Sequence, residues 1–182
     1  MSGPPFDDVL VAAQTGEAWA VARLYEDLKG PVVTFARLRG AADPDDVTSE
    51  TFLQVFRDLP RFTGDESGFR AWVFTIARRR LLDERRRASR RVREVRLTPG
   101  IDAAGGDTAE EALASLGDDR IRTLLAGLTV DQREVVLLRI VADLSLKDTA
   151  AVTGRSVGAV KILQHRALAA LRGSLVDPGV SP

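Results

Sequence analysis

One stretch divides the chain. Thr98 to Thr108 reads TPGIDAAGGDT, with a proline, three glycines and no apolar period. Such a sequence offers neither a helix face nor a strand face for burial, so it reads as a flexible linker. On both sides of it apolar residues recur at three- to four-residue intervals, Ala, Leu, Arg and Glu are plentiful, and aromatic and β-branched runs are scarce. That is the signature of helices. A length of 182 residues leaves room for one small domain on each side. The expected fold is all-α: two small helical domains, 1–94 and 116–176, joined by a flexible acidic linker over 95–115 and followed by a frayed tail at 177–182. Fully extended, residues 95–114 would span roughly 65 Å.

Helix boundaries follow from caps and breakers. Asp7 to Thr15 reads as a first helix. The second runs through Leu28, with a kink or break expected at Gly30-Pro31 before it continues to Leu38; Trp19, Ala22, Leu24, Leu28 and Phe35 are its expected apolar side. Asp43 is an expected N-cap, Pro44 the first helical residue, and Asp45 and Asp46 lie where the helix dipole favours negative charge. Pro60 stops that third helix near Leu59, and a long fourth helix is expected from about Gly68 to Arg91. Beyond the linker, helices are expected at Asp118–Leu128, from Val130 to Ala142 behind Thr129, from Ser145 to Gly154, and from Val157 to Leu171 behind Ser156.

Several function classes fall away on composition. Cysteine is absent and His165 is the only histidine. There is no phosphate-binding glycine loop and no metal-spaced cluster, so neither a cofactor nor a metal site is expected, and an enzyme has little support. No apolar run reaches the about 18 residues of a membrane span, and the N-terminus lacks a secretory pattern, so a cytoplasmic chain without membrane insertion is expected.

Charge points the other way, towards a polyanion. Lys plus Arg and Asp plus Glu both number 26, so the net charge is zero. The signs are segregated, however: residues 1–60 carry net −5, residues 61–96 net +7, residues 97–128 net −4 and residues 129–182 net +2. The basic block is almost all arginine, whose planar fork suits phosphates and base edges. In FRAWVFTIARRRLLDERRRASRR, Phe74, Ala77, Leu81 and Ala88 form an apolar stripe. Asp83 lies four residues from both Arg79 and Arg87 and is placed to orient them. Trp72, expected on the exposed side, beside a basic strip is the pattern for single-stranded or melting nucleic acid; a solvated basic helix with Trp72 in the core is the plainer reading.

The segment SLKDTAAVTGRSVGAVKILQHRALAALR has the grammar of a helix-turn-helix, with Ala151 and Gly154 expected to let its helices approach closely. On the wheel of its second helix, Val160, Leu163, Ala167 and Leu171 fall on a core side, while Gly158, Lys161, Ile162, His165, Arg166 and Arg172 fall on the other. Such a face suits the major groove, or is an ordinary solvated surface.

In combination, DPDDVTSETFLQVFRDLPRF, GFRAWVFTIARRRLLDERRR, the loose linker and LTVDQREVVLLRIVADLSLKDTAAVTGRSVGAVKILQHRALAALR resemble the bacterial RNA polymerase sigma factors of the extracytoplasmic-function (ECF) group of the sigma-70 family. The likeness runs from about Asp7 to Arg172 and covers the two-domain form, a region 2 helical bundle and a region 4 helix-turn-helix. It implies that Asp45, Asp46, Glu50 and Gln54 face the clamp helices of the largest polymerase subunit, with the polymerase flap as a second contact. It implies that the loop at Phe62, Thr63, Gly64 and Asp65 captures a flipped base of the −10 element, and that Trp72, Arg78, Arg79, Arg80, Asp83, Arg86 and Arg87 grip and melt that element. Arg155, Ser156, Lys161, Ile162, His165 and Arg166 would read the −35 element. The acidic linker residues Asp102, Asp107, Glu110 and Glu111 would lie in the RNA channel. Relatives are usually held inactive by an anti-sigma factor, which is the third partner implied.

Three positions depart from the family pattern. Many relatives have Asn within the triple read here as Arg78-Arg79-Arg80, Gln where Ser49 stands, and Ser-Arg where Ile162-Leu163 stands. The last bears on which −35 sequence is read. The expected function is a sigma factor that binds core polymerase, directs it to promoters through −10 and −35 elements and helps open the DNA. The rivals are a stand-alone helix-turn-helix regulator, which would usually dimerise on two half-sites, and an RNA-binding or adaptor protein using the arginine helix.

Overall fold

The computed structural model describes residues 3–95 and 120–176, except that within the helices the side chains of residues 88, 89, 91–95, 175 and 176 are left out. The expected linker beyond residue 95, the residues that follow it to 119 and the expected tail from 177 lie outside the described residues, as does the side chain of the stripe position Ala88. All regular elements among the described residues are helical. They are α1 (Phe6–Gln14), α2 (Ala18–Leu38), α3 (Pro44–Asp58), a 3-10 turn at Leu59–Arg61, α4 (Glu66–Val95), α5 (Val130–Ile140), α6 (Leu146–Thr153) and α7 (Val157–Val176). A helical segment over 120–126 precedes α5.

The caps explain the boundaries. The Asp43 carboxylate accepts from the Asp46 amide at 2.9 Å and starts α3. Thr129 and Gln132 close a reciprocal capping box on α5. Ser145 caps α6, and the Ser156 hydroxyl accepts from the Ala159 amide at 3.2 Å to start α7. Gly154 ends α6 in the left-handed conformation, φ 69°. Open space surrounds the position of a Cβ there, and Ala151 is exposed, so this turn uses Gly154 for its backbone angle rather than for the close helix approach expected from sequence. Asp143 makes the α5–α6 turn at φ 50°, a conformation that Asp tolerates.

Two expectations for α2 change. The helix runs unbroken through Pro31. Val32, Phe35 and Ala36 are fully buried directly after it, and that packing outweighs one missing amide hydrogen bond. The buried stripe is Ala20, Leu24, Leu28, Val32 and Phe35, whereas Trp19 is 51% exposed and Ala22 is also exposed. Phe35 meets Phe74 of α4 edge-on, with centroids 5.4 Å apart. Phe74, Ala77 and Leu81 of the expected α4 stripe are buried.

The two halves are packed together. One buried apolar cluster runs from α1–α4 into residue 125 and on to Leu137, Leu138, Leu144 and Val152. A smaller cluster of Val135, Ala150 and Val160 holds α5, α6 and α7 to one another. At the junction of the halves lies a buried ionic clasp. Glu134 of α5, 3% exposed, accepts from Arg39 Nη2 at 2.7 Å and from Arg78 Nε at 3.1 Å. Arg39 is also 3% exposed, and its backbone carbonyl accepts from Arg85. Burial lowers the Arg39 pKa from its ordinary value, and the Glu134 carboxylate opposes that shift. A second polar bridge joins the halves where Ser67 donates to Asp148 at 2.9 Å.

Removing the Glu134 carboxylate strands Arg39 in a buried site. Glu134→Ala is expected to cost about 3–5 kcal/mol in urea unfolding. Asp131→Ala, which breaks a half-exposed pair with Arg155, is expected to cost no more than about 1 kcal/mol. Equal losses for the two variants would show that the clasp carries no special weight.

Candidate nucleic-acid interface

The loop after the 3-10 turn is built around aromatic rings. Phe62 stacks on Trp72 with centroids 5.0 Å apart and planes 22° from parallel. Phe69 meets Phe62 edge-on at 5.4 Å, and Phe6 of α1 lies 5.7 Å from Phe69. Trp72 is therefore half-buried and fixed against Phe62, not on the exposed side expected from sequence; the aromatic residues of the loop supply its partner. Its edges border two open clefts. One, of about 260 Å³, is lined by Asp58, Arg61, Phe62, Thr63 and Trp72. The other, of about 250 Å³, is lined by Gln54, Asp58, Trp72, Ile76, Arg79, Arg80 and Asp83. Each is smaller than the roughly 300–1,000 Å³ of a drug-sized ligand pocket, a scale that suits one planar group.

Thr63, Gly64 and Asp65 are exposed at the loop tip. Asp65 is not free there, because its carboxylate accepts from the Gly68 amide at 2.8 Å at the start of α4. Gly64 adopts φ 153°, and a Cβ on it would sit 3.1 Å from the Phe62 ring, so this position favours glycine twice over.

The arginines of α4 divide into distinct groups. Arg78 is taken up by Glu134 across the junction of the halves, at 3.1 and 3.3 Å. Arg80 turns to α3, 3.3 Å from Glu50 and 3.3 Å from the Gln54 side-chain oxygen. Asp83 pairs with Arg86 at 3.4 Å, one turn away, in place of the Arg79 and Arg87 pairing expected from spacing; i,i+3 and i,i+4 partners are equally near on a helix, and Arg86 takes the contact. Arg79, Arg86 and Arg87 are exposed.

On α3, Asp45 and Asp46 are exposed, while Glu50 and Gln54 are half-buried by their contacts with Arg80. The acidic strip and the arginine helix thus share one edge. Leu53, 65% exposed between Glu50 and Gln54, is an apolar member of this surface that charge-based reading missed. Its signal was a leucine off the Val47, Thr51, Val55 stripe.

The helix-turn-helix presents its second helix as expected. Val160 and Ala167 are buried, and Leu163 and Leu171 half-buried. Gly158, Lys161, Ile162, His165, Arg166 and Arg172 are all exposed. Ile162 is 54% exposed, high for an isoleucine in a folded unit. Two flanking residues have other engagements: Arg155 pairs with Asp131 at 2.7 Å, and Ser156 is occupied as the α7 cap. Arg139 braces the motif, donating to the Leu144 carbonyl and, at 3.2 Å, to Gln164 of α7. The charged residues of the clasp, Arg39 and Glu134, were missed as well; the visible hint was a glutamate at the head of the apolar run in EVVLLRIV.

Asp148 lies beside this motif. Burial pushes its carboxyl up, but hydrogen bonds from Ser145 and Ser67 together bring it below its ordinary value. Among the described residues no group of three or more His, Asp or Glu is placed to hold a metal, and no helix is long and apolar enough to cross a membrane.

Two sequence families match this arrangement. Sigma-70 region 2 covers residues 24–91 and sigma-70 region 4 covers residues 118–171. The chain is 36% identical over 174 residues to the ECF RNA polymerase sigma factor BldN of Streptomyces coelicolor, an alignment that takes in 93% of this chain and 66% of BldN. It is 32% identical over 186 residues to the ECF RNA polymerase sigma factor SigD of Mycobacterium bovis, covering 98% of this chain and 88% of that one. Among solved structures, CnrH in complex with the cytosolic domain of CnrY is similar with a TM-score of 0.70 and 27% identity, over 94% of this chain and 97% of that chain.

The aromatic stack has an optical consequence. The chain has two tryptophans, so in a Trp19→Phe background Trp72 is the sole tryptophan reporter. Phe62→Ala is expected to shift its emission to the red and to increase quenching by iodide or acrylamide. An unchanged spectrum and unchanged quenching would contradict the stack.

Proposed function

Because this chain belongs to the extracytoplasmic-function group of RNA polymerase sigma factors, we propose that its two helical units divide promoter recognition between them. Matches to both sigma regions in their proper order leave the stand-alone regulator without favour. The unit over 1–94 takes the polymerase clamp and the −10 element, 95–115 is the connecting linker, and 116–176 takes the −35 element.

On α3, Asp45, Asp46, Glu50 and Gln54 face the clamp helices of the largest polymerase subunit. Exposed Leu53 gives that contact an apolar centre. The loop Phe62–Asp65 and the clefts beside Trp72 receive a base turned out of the −10 strand, while Arg79, Arg86 and Arg87 hold the phosphates around it. Arg78 and Arg80 join them by exchanging Glu134 and Glu50 for phosphate oxygens. Asp83 acts through Arg86, which it orients.

The observation that carries the −35 assignment is the α7 face. Lys161, Ile162, His165 and Arg166 are exposed together, and no hydrogen bond or ion pair among the described residues engages their side chains. Lys161 and Arg166 supply phosphate or guanine contacts, and Ile162 supplies an apolar contact to a thymine methyl. Arg155 and Ser156 serve first to hold the motif together, through Asp131 and the α7 cap.

The chain acts by binding in the cytoplasm and performs no catalysis of its own; the polymerase supplies the chemistry. The flap is its second polymerase contact. CnrH was solved with the cytosolic domain of CnrY, and a protein inhibitor of the anti-sigma class is the regulatory partner that this likeness suggests.

Two outcomes check the division of work. The free chain is expected to bind promoter duplex weakly, and the complex with core polymerase specifically; tight binding by the free chain alone would return the stand-alone regulator. Replacing both Lys161 and Arg166 with Ala is expected to reduce −35-dependent run-off transcription by about tenfold or more, at roughly 1–3 kcal/mol for each good base contact, while core binding is unchanged. Loss of core binding instead would mean that α7 faces polymerase.

A further inference from the structure

Gln14 is the last residue of α1, far in sequence from every group assigned above. Its side chain reaches the loop that borders the Trp72 clefts. The amide nitrogen donates to the Leu59 carbonyl at 3.0 Å and to the Phe62 carbonyl at 2.8 Å. A side-chain amide has two N–H donors, and both are used, one on each end of the step from the 3-10 turn into the loop. The Leu59 carbonyl also accepts from the Phe62 amide at 3.0 Å. The backbone at Phe62 is thereby held at both its N–H and its C=O.

This matters because Phe62 fixes the ring beneath Trp72. Phe62 stacks on Trp72 at 5.0 Å and lies in the first cleft wall with Thr63. Its ring also sits against Gly64, at the strained point of the loop. Two of the remaining constraints on the loop come from within it or from α4, through the Asp65 cap and the Phe69 edge contact. Gln14 supplies the polar tie from outside. Helix α1 grips the cluster at its other end as well, through Phe6 on Phe69.

We infer that Gln14 is a positioning residue for base capture: by holding the Leu59 and Phe62 carbonyls it sets the wall of the cleft that selects the flipped −10 base. The inference rests on the reading of the Phe62–Asp65 loop as the capture site. Gln14 does not touch DNA in this role. It sets the ring and the loop backbone, and geometry errors of an ångström at such a wall are enough to erase discrimination.

The test uses the full chain assembled with core polymerase. The probe is a fork-junction DNA, from a promoter obtained by run-off selection, whose exposed non-template −10 strand carries each of the four bases in turn at each position. The wild-type complex is expected to prefer one base at the captured position by about tenfold or more, the scale of a mismatched base pair in a specific site. Gln14→Ala is expected to narrow that preference to about threefold or less, with core affinity and binding to a −35-only duplex within about twofold of wild type. Gln14→Glu keeps the size of the side chain and loses the paired N–H donors, so the same narrowing is expected.

Retention of full preference by Gln14→Ala overturns the inference and leaves the capture reading standing. Loss of preference in Gln14→Ala but not in Gln14→Glu overturns the hydrogen-bonding role. An even loss of core and −35 binding with base preference would make Gln14 a general stabiliser and overturns it too. Absence of any base preference in the wild-type complex overturns the capture reading itself, and the inference with it.

Discussion

A single buried carboxylate stands at the polar centre of the junction between the two halves of this molecule. Glu134 is nearly inaccessible and faces two guanidinium groups, from Arg39 and Arg78. One anion between two cations leaves a local excess of positive charge in a site with little water. Arg39 cannot shed its proton, and its Nε has no partner among the described residues. The closed arrangement therefore depends on Glu134 remaining in place. When the halves part, Arg39 and Arg78 become accessible to water or to another anion, which removes most of the penalty of unpairing. Loss of the glutamate alone is thus costly, whereas a motion that hydrates all three groups together costs less. Buried ion clusters of this kind favour one geometry more than they add net stability.

A second polar junction links the surfaces on α3 and α4. Arg80 lies between Glu50 and Gln54, and Gln54 in turn donates to Asp58, which lines both clefts beside Trp72. The proposed polymerase surface and the proposed base site are therefore neighbours that share side chains. A partner that drew Glu50 away would release Arg80 towards the second cleft. No long-range transmission is needed for the two surfaces to influence one another, because the coupling passes through direct contact.

The helices were legible because their signals are local. Asp43, Thr129, Ser145 and Ser156 announce their helices through short side chains that reach an amide three residues on. The face of α7 was legible because a helix wheel needs only the 3.6-residue period and an apolar stripe. The unbroken course of α2 through Pro31 was not, since it rests on the burial of Val32 and Phe35 against other helices. Trp72 was misplaced for a similar reason: its stacking partner Phe62 lies ten residues away across a turn whose shape no pattern reveals. Arg39 and Glu134 are separated by 95 residues and Gln14 and Phe62 by 48. Composition gives no register for such pairs. The arginine strip was legible as a basic block, but the assignment of each arginine to a partner depended on which acids the fold brings near.

That last point changes the meaning of the zero net charge. Within the described residues, individual charges of opposite sign are paired selectively, whatever the sign of the block they come from. Arg78 is matched by Glu134, Arg80 by Glu50 and Arg155 by Asp131. The cations left exposed without a described acidic partner include Arg79 and Arg87 on α4 and Lys161 and Arg166 on α7. Affinity for a polyanion follows from the cations that can release counterions, not from the formal total. Internal pairing thus withholds several arginines from indiscriminate phosphate contact and leaves a smaller set at two separate places. Each withheld arginine enters a nucleic-acid contact only by exchanging one anion for another, so its engagement depends on geometry that presents the replacement at the right spot. A chain with the same number of arginines, all unpaired, would bind any duplex more tightly and distinguish among duplexes less.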